Sequence, residues 1–540
     1  MLTFAALTLA FARAGAGAAV RDPAAPLGLI PSGASLASVL TLHERARGVV
    51  PRTESEDWQI TGATLNATSH AVYCGQDFSE TISVGPISDR YGARAGRSWL
   101  QNENGETVLL PQPRQSDQFG TVALRDDIDA DDGMKLAGEV PWPAPSYVVA
   151  ATTPDGERDW LFYDKASGLL VRRETVVDGT PVVYTYDEFR SLAGHTRAWH
   201  VHVSNGSAKD QVDYRLLRDE SGADVAPREL AIPANVRRLD EFPAGQNAVQ
   251  LPARFVGSDI IVVLDVGGHS MDFVLDSGAS EIAISETAAQ RLGLAPDAEA
   301  RVLLPQVASG ALRMRNVVAT TLPFDYRAAD GTPIAGLIGF DFLDDAVIHV
   351  DYQNQSLTAI EPASFSAAMP GAITLPVSLE DQVPMIAATL GRSIGKRFIV
   401  DSGADNLYLF DGFARRHASD VLDQPGPIGS LRSFPYLFGD ETSAPLGIAP
   451  AELDDFSFAD IDFRRFTAYR ILQTDAVAAP DADGLIGYRL LRYYDVYLDY
   501  PHARLVLIRN DYSNSTSRSP APTRAPTGVN TVRTVPSTGA

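Results

Sequence analysis

The chain of 540 residues contains a single cysteine, Cys74. It therefore cannot form an intrachain disulfide, and it has no zinc site built from several cysteines. Basic residues are also scarce, because 45 lysines and arginines are outnumbered by 68 aspartates and glutamates, which gives a net charge of −23. Nucleic-acid phosphates attract basic surfaces, so this charge argues against a nucleic-acid partner.

A common hydrolase signature is missing as well. A helical zinc-peptidase motif needs a second histidine four residues after the first, but His43-Glu44 is followed by Arg47 at that position. The Gly-x-Ser-x-Gly spacing of a nucleophile elbow occurs once, at residues 391–395. Beyond the first residues, no apolar run is long enough to cross a bilayer, so we expect no stable membrane span.

A short phrase occurs twice in the chain. Residues 273–280 read Phe-Val-Leu-Asp-Ser-Gly-Ala-Ser, and residues 398–405 read Phe-Ile-Val-Asp-Ser-Gly-Ala-Asp. Each copy is followed by a Gly-Leu-Ile-Gly motif, at 336–339 and 484–487, and then by an Asp-Tyr pair, at 351–352 and 499–500. One Asp-Ser-Gly triplet is typical of any strand that ends in a tight turn, but three motifs repeated in the same order indicate a duplicated unit.

The spacing of these motifs shows where the two units differ. Asp276 and Asp401 are 125 residues apart, whereas the Gly-Leu-Ile-Gly motifs and the Asp-Tyr pairs are each 148 residues apart. The second unit therefore has about 23 additional residues between its first two motifs. Insertions in repeated units fall in loops, which predicts altered loops in the second unit with an unchanged core.

Each unit resembles a retropepsin-type aspartic peptidase domain, on its Asp-Ser-Gly triplet and on the apolar pair and glycine that end 63 residues later at Gly339 in the first unit. The resemblance implies an all-β fold with two retropepsin-like lobes, 248–362 and 372–510, fused in one chain as in pepsins. It favours a monomer with two lobes over an obligate dimer. It also implies that Asp276 and Asp401 form the catalytic pair.

The chemistry of peptide hydrolysis explains these residue types. Two carboxylates about 3 Å apart share one proton, so one can take a proton from water while the other polarises the carbonyl. By resemblance, Ser277 and Ser402 bond across to the opposite loop, while Gly278 and Gly403 lack the Cβ that would block a close approach. The sequence predicts an aspartic endopeptidase acting on polypeptides, without metal or organic cofactor. The alternative is an inactive peptide- or lipid-binding periplasmic protein of the same fold.

The region 23–240 predicts a separate antiparallel β domain. Hairpins are indicated over 98–110 and 169–186, where alternating apolar residues flank Asn-Gly or Asp-Gly turns. The region weakly resembles the half-barrel of bacterial lipoprotein carriers. His200 and His202 lie on one face of a predicted strand, but no third metal ligand is evident nearby in the sequence, which favours a solvated strand face.

The ends and connections carry weaker signals. Residues 1–19 predict a signal peptide, and hence a secreted or periplasmic protein, although no lysine or arginine precedes the apolar run and a non-secreted alternative stays open. Residues 511–540 predict a disordered tail, and 114–138 a long loop or lid. We also expect a linker and processing site near 240–250, and flap segments within the 280s to 330s and at 431–439.

Overall fold

Strands predominate in the structure of this chain, a computed structural model that describes residues 24–110, 124–125, 133–141, 144–152, 158–177, 180–240, 242–379, 382–424, 429–431, 446–472 and 482–514. The predicted all-β fold is confirmed. The chain divides into two compact units, one made mainly of residues before Arg237 and the other mainly of residues from Arg237 onward. None of the described helices is long and apolar enough to cross a membrane. The predicted signal peptide, most of the predicted loop at 114–138, the flap segment 432–439 and residues 515–540 lie outside the described residues.

The described residues of the N-terminal unit form one large antiparallel sheet, a small two-stranded sheet and a helix of twelve residues, α1 (Leu36–Arg47). Its strands are β1 (Thr53–Gly62), β2 (Asn66–Cys74), β3 (Asp77–Val84), β4 (Ile87–Arg94), β5 (Arg97–Gln101), β6 (Thr107–Leu109), β7 (Lys135–Val140), β8 (Ser146–Thr152), β9 (Arg158–Asp164), β10 (Leu170–Val177), β11 (Thr180–Asp187), β12 (Arg190–Leu192), β13 (His195–Arg197), β14 (His200–Ser204) and β15 (Val212–Ser221).

Thirteen of these strands form an open, half-barrel-like sheet in the order β6-β5-β4-β3-β2-β1-β15-β14-β11-β10-β9-β8-β7. Alternating burial along β1 explains why, because every second side chain faces the core. The hairpins predicted over 98–110 and 169–186 are present as β5-β6 and β10-β11. Helix α1 begins with a capping box at Ser35 and lies against this sheet through His43, whose Nδ1 is 3.1 Å from the carbonyl oxygen of Gly168.

The C-terminal unit carries the two repeats. Its strands are β16 (Ala248–Gln250), β17 (Ala253–Val256), β18 (Asp259–Val266), β19 (His269–Leu275), β20 (Ala283–Ser285), β21 (Arg301–Leu303), β22 (Val307–Ser309), β23 (Leu312–Met314), β24 (Val318–Leu322), β25 (Gly336–Ile338), β26 (Val347–Asp351), β27 (Ser356–Ile360), β28 (Ala372–Pro376), β29 (Met385–Leu390), β30 (Ser393–Val400), β31 (Leu407–Phe410), β32 (Val421–Asp423), β33 (Gly429–Leu431), β34 (Leu446–Phe458), β35 (Ile461–Ile471), β36 (Gly484–Ile486), β37 (Tyr494–Asp499) and β38 (Arg504–Arg509). Short helices are α2 (Glu286–Arg291), α3 (Phe340–Leu343), α4 (Asp411–Arg416), α5 (Tyr488–Leu491) and α6 (Asp511–Asn514).

The two repeats build the same local arrangement. In the first lobe, β19 runs parallel to β25, which in turn pairs antiparallel with β20. In the second lobe, β30, β36 and β31 repeat these pairings. Position 336 requires glycine, because a Cβ there would lie 2.1 Å from the carbonyl oxygen of Ala283. The Gly-Leu-Ile-Gly motifs are therefore core strands that lie directly beside the Asp-Ser-Gly loops.

A third sheet joins the lobes. Its order is β16-β27-β26-β37-β38-β28, with strands from both repeats. At its centre, His349 of β26 pairs with Tyr497 of β37, and these two positions are equivalent in the repeats. Their rings stack with centroids 4.1 Å apart. The pseudo-two-fold axis that relates the repeats therefore passes between His349 and Tyr497. Their pairing sets the register of β26 against β37.

The linker expected near 240–250 covers fewer residues in the structure. The backbone nitrogens of Arg238 and Leu239 donate to Asp345 Oδ2 at 2.8 and 2.7 Å, and Leu239 is buried in the core of the first lobe. The boundary of the N-terminal domain therefore lies near 236 and not at 240. Residues 244–247 are the exposed part of this connection, and the expected processing site stays a prediction for this stretch. At the other end, the first four residues of the expected tail form α6.

Candidate active site

The two Asp-Ser-Gly loops lie at the ends of equivalent strands. Asp276 follows β19, and its backbone nitrogen donates to Ile338 of β25 at 3.0 Å. Asp401 follows β30, and its backbone nitrogen donates to Ile486 of β36 at the same distance. The last residues of each strand are apolar on both faces, as expected where both faces of a strand are buried. Each aspartate is thus positioned by a rigid pair of core strands.

Reciprocal hydrogen bonds lock the loops together. The hydroxyl of Ser277 donates to the carbonyl oxygen of Val400 at 2.7 Å and accepts from the backbone nitrogen of Ser402 at 2.8 Å. The hydroxyl of Ser402 donates to the carbonyl oxygen of Leu275 at 2.8 Å and accepts from the backbone nitrogen of Ser277 at 3.0 Å. Both serines are fully buried. The structure places both serines where the resemblance implied, each bonded to the opposite loop.

The glycines bring the carboxyl groups together. A Cβ on Gly278 would lie 2.8 Å from Asp401 Cγ, and a Cβ on Gly403 would lie 2.7 Å from Asp276 Cγ. Each carboxylate therefore packs against the Cα of the opposite glycine, at a spacing that only glycine permits. The four loop residues and two aspartates predicted from the sequence are all gathered at this one place.

Burial and proximity set the protonation of the pair. Asp276 is 1% exposed and Asp401 is 0% exposed. Burial raises the pKa of Asp276, although a hydrogen bond with Asp401 and then backbone nitrogens of its own loop oppose this. Burial, followed by the charge of Asp276, raises the pKa of Asp401 well above its ordinary value. The pair therefore retains a proton at pH values where isolated aspartates are ionised.

Two tyrosines beneath the loops were not recognised from the sequence as part of the site. The hydroxyl of Tyr500 donates to the carbonyl oxygen of Ser277 at 3.1 Å, and both groups are buried. Tyr352 is the equivalent residue of the first repeat and is also buried. The Asp-Tyr repeat was the available signal, but it gave no indication that Tyr500 reaches the loop of the other lobe.

Further acidic groups line the surroundings of the pair. Burial raises the pKa of Asp259, which accepts a 2.8 Å bond from the hydroxyl of Tyr326. In the second lobe, Asp405 accepts a hydrogen bond from Tyr408. Behind the first loop, burial raises the pKa of Glu281 to about 8, and Thr320 Oγ1 donates to it at 2.7 Å. Glu281 is therefore mostly neutral below pH 8 and adds little charge to the site.

The predicted flaps stay predictions. The hairpin β22-β23 lies in the expected stretch of the first lobe, but its turn at Gly310 packs near Pro252, whose Cδ would be 3.3 Å from an added Cβ. In the second lobe, Leu431 ends β33, and residues 432–439 lie outside the described chain.

The histidine pair of the N-terminal unit has more neighbours than the sequence suggested. His200 Nδ1 lies 2.7 Å from Asp187 Oδ1, and His200 Nε2 lies 2.8 Å from Asp213 Oδ1. Asp187, Glu188 and His200 offer ligand atoms within 4.8 Å of one another. These carboxylates come from neighbouring strands, so sequence proximity could not show them. Glu188 already pairs with Arg215 at 2.7 Å, which leaves an exposed ion-pair network as the simplest description.

Comparison with known proteins identifies one part of the chain. Residues 262–342, within the first lobe, match the family model described as aspartyl protease. The chain therefore contains an aspartyl protease-like domain. No curated protein is significantly similar to the chain.

Solved structures are similar to parts of the chain. A retropepsin-like aspartic protease from Rickettsia conorii is 19% identical with a TM-score of 0.19, covering 25% of this chain and 89% of that one. An aspartic proteinase from Irpex lacteus is 12% identical with a TM-score of 0.29, covering 50% and 99%. A LolA-superfamily protein from Nitrosomonas europaea is 12% identical with a TM-score of 0.31, covering 37% and 98%.

Proposed function

We propose that this protein is an aspartic endopeptidase whose catalytic pair combines Asp276 of the first repeat with Asp401 of the second. The observation that carries the proposal is the reciprocal approach of each loop glycine to the opposite carboxylate, so close that an added Cβ would lie 2.7–2.8 Å from Cγ. The serine bonds across the loops hold this arrangement, with all four hydroxyl contacts at 2.7–3.0 Å. Ser277, Gly278, Ser402 and Gly403 thus shape the site, while the aspartates perform the chemistry.

The reaction needs one proton on the pair. The ionised carboxylate accepts a proton from a water molecule as its oxygen attacks the peptide carbonyl carbon, and the protonated carboxyl donates to the carbonyl oxygen. The carboxyl that took the proton from water then gives it to the amide nitrogen, while the other carboxylate takes a proton back from a hydroxyl of the tetrahedral intermediate. The carbon–nitrogen bond breaks, and the starting protonation is restored. The buried position of both carboxyl groups favours this sharing, because two charges cannot both be solvated there. No step calls for a metal or an organic cofactor.

A lipid-binding protein without activity is the alternative, and an open cleft of about 460 Å³ beside α1, lined by Ala37, Leu42 and Tyr147 among others, is the place in the N-terminal unit that favours it. The interior of the unit does not. One cavity of the N-terminal unit is lined by Trp58, Arg125, His195 and Arg197 and has room for roughly one water molecule. Burial opposes ionisation of the adjacent Glu54, but bonds and charges from His195, Arg125 and Arg197 lower its pKa to about 2. An ion-pair network of this kind does not suit an acyl chain. We therefore place the binding of polypeptide in the C-terminal unit.

The proposed location of the protein rests on its first residues. Residues 1–19 have the apolar run and small-residue stretch of a signal peptide, which supports a secreted or periplasmic protein. We further propose that the two lobes act as a monomer, because one chain supplies both loops.

Cleavage of a mixed peptide library, read by mass spectrometry between pH 3 and pH 8, tests this function. We expect cleavage to persist above about pH 4, the ordinary range of aspartate, because burial raises the pKa of Asp401 well above its ordinary value. Activity should fall as rising pH removes the shared proton, and also as falling pH protonates the second carboxylate. The full chain and a sample nicked within residues 244–247 should both be assayed. Absence of cleavage by both, at every pH, would contradict the proposal.

A further inference from the structure

A hydrogen bond from Tyr500 makes the surroundings of Asp276 differ from those of Asp401. Its hydroxyl donates to the carbonyl oxygen of Ser277, which belongs to the same peptide group as the nitrogen of Gly278. That nitrogen in turn donates to Asp276 Oδ1 at 2.9 Å. A continuous chain of hydrogen bonds therefore runs from the Tyr500 hydroxyl through one peptide group to the carboxylate of Asp276.

The second loop lacks the first link of this chain. Gly403 donates to Asp401 Oδ1 at 2.8 Å, as its counterpart does in the first loop. Tyr352 occupies the position equivalent to Tyr500, and its ring packs against Tyr488 at 5.6 Å as Tyr500 packs against Phe340 at 5.7 Å. Among the described residues, however, no hydrogen bond joins the Tyr352 hydroxyl to Ser402. The ring contacts of Tyr500 and Tyr352 are therefore equivalent in the two repeats, whereas the hydrogen bond of the Tyr500 hydroxyl has no counterpart at Tyr352.

Hydrogen bonds in series polarise one another, so a donor on a peptide carbonyl strengthens the donation by the nitrogen of the same peptide group. A stronger bond to a carboxylate stabilises its ionised form over its protonated form. We propose, on the basis of the proposed function, that Tyr500 is a positioning residue that makes Asp276 the base and leaves the shared proton on Asp401.

Other groups act on both members of the pair. Burial and the charge of Asp259 raise the pKa of Asp276, and burial and the charge of Asp276 raise the pKa of Asp401, although the backbone nitrogen of Ala404, which donates to Asp401 Oδ1 at 3.0 Å, opposes the second rise. Asp401 Oδ2 is buried and accepts no hydrogen bond from another donor within the described part of the chain, while the two carboxyl groups bond to each other, as suits a proton shared by the pair. The titratable groups that face the pair from the packed elements are Asp259, Tyr352, Tyr408 and Tyr500.

The test compares Tyr500→Phe with Tyr352→Phe, which removes the equivalent hydroxyl from the other repeat. The acid limb of the pH profile of kcat/KM reports the base of the free enzyme. Loss of the Tyr500 hydroxyl should move this limb upward by roughly half a pH unit, which lowers activity below the limb by about threefold. Tyr352→Phe should leave it in place. A general loss of packing would lower kcat/KM at every pH without moving the limb, and would overturn the inference.

Two further measurements keep the inference testable. Replacing Tyr500 by 3-fluorotyrosine, a stronger donor of nearly the same shape, should move the limb downward and avoids a destabilised variant. Carboxyl ¹³C NMR titration, with signals assigned by their loss in Asp276→Asn and Asp401→Asn, reads the asymmetry even if no peptide is cleaved. Equal titration shifts for Tyr500→Phe and Tyr352→Phe, or none for either, would overturn the role of Tyr500. Missing cleavage by a wild type whose two carboxyls titrate asymmetrically would overturn only the proposed function.

Discussion

Replacing Asp276 or Asp401 by asparagine is expected to lower peptide cleavage by on the order of 1,000-fold, with either substitution sufficient alone. Asparagine keeps the shape of the side chain, but it can neither take a proton from water nor deliver one to the carbonyl. Because the two carboxyls are buried against each other, the substitutions should leave the thermal midpoint unchanged or raise it. Steady-state cleavage rates and thermal unfolding of both variants check these expectations together.

Asp405 supplies a matched control for this prediction. It follows the second loop closely in sequence and accepts a bond from Tyr408, but it does not pack against the opposite glycine. Asp405→Asn should therefore retain cleavage within about tenfold of the wild type, since it removes a neighbouring charge and no proton donor. A residual activity of Asp276→Asn or Asp401→Asn as high as that of Asp405→Asn would show that the pair is not the catalytic centre.

Gly403→Ala is expected to disrupt both activity and stability. The new Cβ would lie 2.7 Å from Cγ and 2.8 Å from Oδ2 of Asp276, closer than real Cβ contacts permit. The carboxylate is held by its own loop, so relief requires the two loops to separate. Overpacking of this kind costs about 1–3 kcal/mol in the free energy of unfolding. A displacement near 1 Å between catalytic groups lowers the rate by about 100-fold.

The same substitution in helix α4 is the control. A Cβ on Gly412 would meet only Arg416 Nη1, at 3.5 Å, which is an ordinary contact. Gly412→Ala should leave activity unchanged and raise the free energy of unfolding by about 0.5–1 kcal/mol, because alanine is the better helix former. Urea unfolding and cleavage rates of Gly403→Ala and Gly412→Ala test these expectations. Gly403→Ala that behaves like Gly412→Ala would mean that the loops are not in contact.

The repeat in the sequence predicted much of the C-terminal unit, because its signals are local. An apolar strand followed by Asp-Ser-Gly predicts a buried strand and a sharp turn, and β19 and β30 end where the triplets begin. The Gly-Leu-Ile-Gly segments, which the repeat singles out, are β25 and β36 beside the loops. The offset of about 23 residues was expected in loops of the second unit; it falls between β31 and β36, where β34 and β35 form a long hairpin.

Contacts between distant segments could not be predicted in the same way. Tyr500 and Ser277 are 223 residues apart, and their bond depends on the register of β26 against β37 in the sheet that joins the lobes. A strand pattern shows which face of a residue is buried, but not which strand lies next to it. The contact of Asp187 with His200 was missed for this reason too, since the two residues meet through the pairing of β11 with β14.

The same limit explains the domain boundary. Arg238 and Leu239 lie in a polar, proline-containing stretch that is typical of a linker, yet Asp345 accepts hydrogen bonds from both backbone nitrogens. The partner carboxylate is more than 100 residues away, and nothing in the local composition indicates it. Residues 244–247 are exposed, and their role as a linker stays a prediction.

The central claim is that one chain supplies both carboxyls of one catalytic pair. Mixing Asp276→Asn with Asp401→Asn, after joint unfolding and refolding, and measuring peptide cleavage tests it most directly. Each variant chain carries one defective loop in its own pair, so the account predicts no activity above that of either variant alone. Cleavage restored in the mixture, from loops contributed by different chains, would contradict it.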